Sequence, residues 1–287
     1  MKGIILGGGN GSRLYPITSA NNKLLTPIYD KPMIYYPLAT LMQAGINEVM
    51  IITNSRDNDR FKMLLGDGSQ LGMKISYGIQ DVPRGIVDAF LIGADFIGND
   101  GCALILGDNL FHGPSMPKLL SEATANAEKG LVTLFGIPVP DPERFGIVEL
   151  DNENNALSIV EKPKQPKSNI CVTGLYFYPS GVVEMAKKVT PSARGEYEIT
   201  DLNNLYLELK NVKVNVMGEE TLWLDAGTFA SLLESSAIVK EHQDKGDYIA
   251  FIEEEAYKHN WISKQQLINL AKPMEKNTYG QHLLSLD

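Results

Sequence analysis

The sequence predicts an α/β fold, a mostly parallel mixed sheet flanked by helices, and three observations carry that prediction. Short apolar runs recur along the first half of the chain and end in glycine or polar residues. Stretches with apolar residues at helical spacing separate them, and these stretches close on or near glycine. Strands alternating with helices of about 10 to 15 residues read as βαβ units, which bury a parallel sheet between two helical layers.

In chain order, "KGIIL" (Lys2 to Leu6), "EVMIIT" (Glu48 to Thr53), "MKISYGI" (Met73 to Ile79), "CALIL" (Cys102 to Leu106) and "LVTLFGI" (Leu131 to Ile137) predict strands. Helices are expected over "MIYYPLATLMQAG", "GIVDAFLIGADFI" and "PKLLSEATANAEKG". Gly45 and Gly130 sit where a helix C-terminus favours a residue without a side chain. Tyr35 and Tyr36 fall at packing positions of the first helix. After Pro138 the pattern shifts, with two strands around a polar turn at Asp151 to Asn155 and a further strand in "NICVTGLYFYP", a partly antiparallel layer. Helical spacing returns in "EYEITDLNNLYLELKN" and dominates from about Phe229, where Ser263 caps "KQQLINLAK" and Pro273 lies beyond its end. The expected organisation is a Rossmann-like core over residues 1–228 and a C-terminal helical region, 229–287, packed on it.

The chain has 287 residues, 44% apolar and 21% charged, the composition of an ordinary globular protein. Its formal charge of -9 argues against binding nucleic acid, which calls for clustered excess Lys and Arg. Cys102 and Cys171 form no C-x-x-C pair, so neither a thiolate metal site nor a disulfide framework is indicated, and a reducing compartment fits. No apolar run approaches the roughly 18 residues of a membrane span, and the opening "MKGIILGGG" breaks into glycine too early for a signal peptide. The expected location is cytoplasmic. His112, His242, His259 and His282 show no ligand spacing, which argues against zinc, and no G-x-S-x-G nucleophile motif occurs.

The chemistry is expected at the N-terminus, where "GIILGGGNG" packs five glycines into nine residues directly after the first strand. Bare backbone there lets N–H groups converge on an anion, and phosphate is the natural guest. The dinucleotide fingerprint fails because the sixth position from Gly7 is Ser12, and the Walker pattern fails as well. Arg13 and Lys23 instead supply a fork and a point charge suited to a triphosphate. Asp108 follows "CALILG" and Asp225 follows "TLWL", so buried strands would deliver both carboxylates to the ligand edge of the sheet. Two carboxylates with phosphate oxygens make a hard shell suited to Mg²⁺. On residue type alone, the glycines also read as a flexible turn and each aspartate as a turn former or helix cap.

"LGGGNGSRLYPIT" resembles the signature of the sugar-1-phosphate nucleotidyltransferases. "PIYDKPMIYYPL", "LGDN", "EKP", "VTGLYFY", "ARGEYEITDLN" and "WLDAGT" recur in that family's order, and the likeness reaches "NTYGQHLLSL" near the C-terminus. Within the family, the nearest likeness is to members that join dTTP and glucose 1-phosphate into dTDP-glucose and pyrophosphate, feeding deoxysugar synthesis such as that of dTDP-rhamnose. The resemblance implies that Leu6, Gly8, Gly9, Gly11, Ser12, Arg13 and Lys23 hold the nucleotide, and that Gln80 and Gly85 in "QDVPRG" grip the thymine edge. It makes Asp108 and Asp225 the Mg²⁺ ligands, with Asp108 also facing the nucleotide. Gly146, Glu161, Lys162, Val172 and Arg194 then surround the sugar phosphate, Lys162 and Arg194 meeting its phosphate. Arg13, Lys23, Lys162, Asp108 and Asp225 form the catalytic set, and a homo-oligomer, dimer or tetramer, is implied. Asn22, Leu24, Asp81, Phe145 and Ala226 depart from the family's usual text and leave UTP as an alternative nucleotide. A catalytically silent regulatory relative would be expected to lose Arg13 or an aspartate, yet all three are present.

Overall fold

A computed structural model describes residues 1–9 and 11–286. Its strands are β1 (Lys2–Leu6), β2 (Pro27–Ile28), β3 (Lys31–Pro32), β4 (Glu48–Thr53), β5 (Lys74–Ile79), β6 (Cys102–Leu106), β7 (Asn109–His112), β8 (Val132–Pro138), β9 (Gly146–Leu150), β10 (Ala156–Glu161), β11 (Ile170–Tyr178), β12 (Val212–Val216) and β13 (Leu222–Asp225). Nine of them form one sheet in the order β10-β9-β11-β6-β1-β4-β5, with β8 on β11 and β12 on β8. β1 lies parallel to both β4 and β6, and β5 is parallel to β4.

The pleat explains why these runs are almost wholly apolar. Side chains alternate between faces, and here both faces are covered. Ile5, Ile51, Ala103 and Ile105 point into one core, which they share with the helix Tyr35–Gln43 and with Leu120 and Ala123 of the helix Met116–Glu128. Ile4, Ile52, Cys102 and Leu104 point into the other, against Phe90, Ile97 and Leu202. Tyr36 is buried, as its packing position requires.

The antiparallel part is continuous with this sheet. β9 and β10 pair antiparallel, and β11 runs antiparallel to β6, β8 and β9. A shift of register between Val172 and Tyr176 bends β11, so its two halves serve the antiparallel end and the central strands. All helices beyond Thr228 follow one another without a strand, and Phe251, Ile252, Leu267 and Leu283 enter the same core as the helix Tyr35–Gln43.

Three local expectations change. The stretch 85–97 breaks at Gly93 into two short helices, Asp88–Ile92 and Ala94–Ile97. A helix at Ser55–Leu65 carries too few apolar residues for periodicity to reveal it; it is capped by Asn54, which accepts a hydrogen bond from the Asp57 N–H. The "TLWL" strand, β13, is not part of the large sheet but pairs antiparallel with β7 in a separate ribbon. The Ser263 cap forms as expected, with Gln266 closing a capping box.

Candidate active site

The parallel strands end together, and their carboxyl ends carry the site, as open α/β sheets dictate. Leu6 closes β1 between Ile52 and Leu106. From there the chain turns through Gly7, whose N–H donates to the Ile52 carbonyl at 2.8 Å. Gly9 (φ 97°) and Gly11 (φ 56°) hold left-handed backbone that a side chain would strain. Gly8 faces Gln80, and a Cβ there would lie 2.5 Å from the Gln80 Oε1. Within the expected phosphate loop, Asn10 lies outside the described residues. Ser12 and Arg13 stand exposed at the start of a short 3₁₀ turn, and a cavity of about 690 Å³ bounded by Ser12, Tyr15, Thr18, Asn54 and Arg56 opens beside them.

The ribbon β7–β13 brings the two aspartates together. Asp108 immediately precedes β7, Asp225 ends β13 opposite Asn109, and the Ala226 N–H donates to the Asp108 carbonyl at 3.0 Å. The convergence therefore arises from antiparallel pairing, not from two parallel strand ends. Lys23 ion-pairs with Asp108. Burial is the largest single influence on Asp108 and opposes its ionisation, but the Lys23 charge together with hydrogen bonds from Lys23, the backbone and the Asn109 amide holds the carboxyl below the usual carboxylate range. Asp225 goes the other way: burial and then the negative charge of Asp108 raise it, against the attraction of Lys23, Arg13 and Arg144. Arg13 reaches the same place, since a Cβ on Gly227 would lie 2.9 Å from Asp225 Oδ1 and 3.4 Å from an Arg13 guanidinium nitrogen.

Asn109, for which the sequence alone predicts no role, organises this centre. Its amide donates to Asp108 Oδ1 at 3.2 Å, and its carbonyl oxygen accepts from Trp223 Nε1 at 2.7 Å and from the Gly174 N–H at 3.1 Å. Gly174 is glycine because a Cβ would lie 2.8 Å from that amide. The adjacency of Asn109 to Asp108 in "LGDN" was the available signal.

Gly146, Glu161, Lys162 and Val172 line one cavity of about 170 Å³, together with Arg144, Phe145, Glu198 and Thr200. Gly146 and Glu161 are partners in the β9–β10 register. Thr200 donates to Glu161 at 2.8 Å, and Lys162 (3.4 Å) and Arg194 (3.6 Å) both approach the other Glu161 oxygen. Lys162 sits at φ 43°, a backbone strain tied down by its N–H donating to the Phe145 carbonyl at 3.0 Å. The Arg194 guanidinium, half-exposed, donates to Glu198 at 2.8 Å, which raises its pKa. Arg144 and Phe145 also border a cavity of about 310 Å³ holding Arg13, Trp223 and Asp225, so they link this pocket to the aspartate pair. The Phe145 and Trp223 rings meet edge to face at 5.8 Å.

Gln80 is buried beside the glycine loop, and its amide N–H groups are engaged by Asp88 at 2.9 Å and by the Gly85 carbonyl at 3.4 Å. Only its carbonyl oxygen is left free to meet a ligand. Gly85 (φ 104°) is closed in by Tyr197, 2.4 Å from where a Cβ would sit. Several departures from the family's text prove architectural. Leu24, 1% exposed, packs beneath Gly7 and Gly107, and Ala226 is buried as well. Asn22 accepts from the Leu24 N–H and donates to Asp57, while Asp81 accepts from the Ser55 N–H.

The sequence pattern of the nucleotidyl transferase family matches residues 2–242. Glucose-1-phosphate thymidylyltransferase from Neisseria meningitidis serogroup A is 51% identical over all of this chain and 99% of its own, and that from Mycobacterium tuberculosis is 47% identical over the same shares. A Bacillus anthracis crystal structure, described as a candidate glucose-1-phosphate thymidylyltransferase in complex with a sucrose, superposes with a TM-score of 0.76 at 44% identity, covering 83% of this chain and 94% of that one. UDP-glucose pyrophosphorylase complexed with UDP-glucose shares the fold, with a TM-score of 0.72 at 24% identity over 84% of this chain and 98% of that one. With a nucleotide-type loop, paired acids and an adjoining polar pocket at one sheet edge, the chain belongs to the nucleotidyl transferase family, beside the glucose-1-phosphate thymidylyltransferases.

Proposed function

We propose that this chain transfers the thymidylyl group of dTTP to glucose 1-phosphate, releasing pyrophosphate and forming dTDP-glucose. The observation that carries the reading is the meeting of Arg13, Lys23, Asp108 and Asp225 between the glycine loop and the Gly146–Glu161 pocket. The exposed loop amides and Arg13 bind the triphosphate tail, and Lys162 with Arg194 meets the sugar phosphate. Glu161 and the Gly146 backbone face the sugar, whose hydroxyls suit a carboxylate acceptor. The phosphate oxygen of the sugar then displaces pyrophosphate in line at the α-phosphorus. Positioning and charge neutralisation carry such a step without a covalent intermediate. The cationic side chains offset the repulsion of two anionic substrates on a protein of formal charge -9.

Asp108 and Asp225 fit a divalent cation with oxygen ligands, because two carboxylates meet in a partly buried place where the charge of Asp108 disfavours that of Asp225. Mg²⁺ held there would polarise phosphoryl oxygens and neutralise developing charge. Lys23 keeps Asp108 ionised in readiness. In discriminating bases, only the thymine methyl separates dTTP from UTP, worth about 1 to 3 kcal/mol in an apolar pocket.

The test is pyrophosphate release for dTTP, UTP, CTP and ATP against glucose 1-phosphate and other sugar phosphates, with Mg²⁺ or with EDTA. The reading expects the highest kcat/KM for dTTP with glucose 1-phosphate and none in EDTA. Preference for UTP would replace the nucleotide, and no release from any pair would overturn the activity.

A further inference from the structure

The four histidines lack ligand spacing along the chain, yet the fold brings two of them together with a carboxylate. His112 ends β7, His242 lies in the last turn of the helix Phe229–Asp244, and Asp247 follows that helix. Gly246 (φ 82°) reverses the chain, and the Asp247 N–H donates back to the His242 carbonyl at 3.0 Å. That turn folds the Asp247 carboxylate over the His242 ring. Asp247 Oδ2 lies 2.9 Å from His112 Nε2 and 2.8 Å from His242 Nδ1, and the three ligand atoms all fall within 4.8 Å of one another. The two imidazoles meet edge to face with centroids 5.5 Å apart.

We infer that His112, His242 and Asp247 form a binding site for a transition-metal cation of the Zn²⁺ class, separate from the Asp108–Asp225 pair. Two imidazoles with one carboxylate suit Zn²⁺, Co²⁺ or Ni²⁺ far better than Mg²⁺, which prefers oxygen alone. Ligand bonds of about 2.0 to 2.1 Å in a tetrahedral site place ligand atoms roughly 3.3 Å apart, so small rotations of these partly exposed side chains convert the hydrogen-bonded cluster into a coordination shell. On binding, each imidazole uses the lone pair of its facing nitrogen, any proton there passes to solvent, and water completes the fourth position.

The placement gives the site a structural consequence. β7 is paired with β13 from His112–Leu222 at one end to Asn109–Asp225 at the other. The two ends of β7 are three residue steps apart, about 10 Å along the strand. A cation at His112 therefore pins the C-terminal end of a helix to the ribbon that carries a catalytic carboxylate, without touching the substrates.

Tag-free, full-length protein stripped with EDTA and desalted is titrated with Co²⁺ in the presence of millimolar Mg²⁺, which occupies the aspartate pair. One equivalent of visible d–d absorbance, displaced by Zn²⁺, is expected. His112→Ala and His242→Ala should each weaken the apparent affinity at least tenfold, and Asp247→Asn should also weaken it, with circular dichroism unchanged because all three side chains are at least partly exposed and none belongs to a buried core. An Asp225→Asn variant should keep the signal. No absorbance at high micromolar Co²⁺, an unchanged titration in the His112→Ala/His242→Ala double variant, or loss of the signal only in Asp225→Asn would each overturn the inference.

Discussion

The two halves of the candidate active site are built by different physics. The nucleotide half rests on backbone: left-handed Gly9 and Gly11, Gly7 and Gly107 closing on Leu24, and a largely buried Lys23–Asp108 pair. The sugar-phosphate half rests on partly exposed charged side chains, with Lys162, Arg194, Glu161 and Glu198 held to one another. A frame of packed backbone changes all at once when disturbed, whereas exposed ion pairs loosen gradually and respond to salt. The arrangement suits a transfer in which the electrophile must be fixed and the acceptor must exchange its carboxylate partners for a phosphate.

Arg13→Ala should break the nucleotide half most severely. It removes a cation facing Asp225 and proposed to meet the triphosphate, and turnover is expected to fall by about 10² or more, as loss of a transition-state donor does elsewhere. Steady-state pyrophosphate release measures it, and near-normal turnover would remove Arg13 from the chemistry. In the other half, Lys162→Ala should raise the KM for glucose 1-phosphate by roughly tenfold, about 1.4 kcal/mol of binding, while the KM for dTTP stays within about twofold. An equal rise in both constants would show that the halves are not separable.

Salt sharpens the contrast with a smaller effect. Raising ionic strength from about 0.05 to 0.5 M should raise the KM for glucose 1-phosphate several-fold and that for dTTP less, because Lys162 and Arg194 are both exposed to screening whereas Lys23, unlike Arg13, is sheltered against Asp108. The smallest effect is on stability. The Asp225 carboxyl is raised by burial and by Asp108, so its contribution is fully present below the ordinary carboxyl range near 4 and is lost as pH rises through its titration in the folded protein. Asp225→Asn should therefore raise Tm in EDTA at pH 7 while abolishing activity, and the gain should shrink towards pH 4. A lower Tm at pH 7 would contradict the repulsion between the two acids.

The same contrast governs what could be read from the chain. β1, β4 and β6 were legible because strands covered on both faces must be continuously apolar, and Ile4 and Ile5 do enter opposite cores. Gly146, Glu161, Lys162 and Val172 were each proposed through resemblance, and one cavity collects them. The β7–β13 ribbon was not legible, since four-residue strands carry little periodicity and their pairing spans more than 100 residues. The helix Ser55–Leu65 escaped for lack of apolar residues, and the engaged amide of Gln80 depends on Asp88, eight residues away across a turn. Spacing rules fail where side chains meet through tertiary folding, as His112 and His242 do.

Direct attack of the sugar phosphate on the nucleotide requires both halves of the site to be filled together. Exchange of labelled pyrophosphate into dTTP, measured with Mg²⁺ but without glucose 1-phosphate, tests this most directly. Direct displacement predicts no exchange above background until the sugar phosphate is added; steady exchange in its absence would reveal a covalent enzyme intermediate and contradict the account.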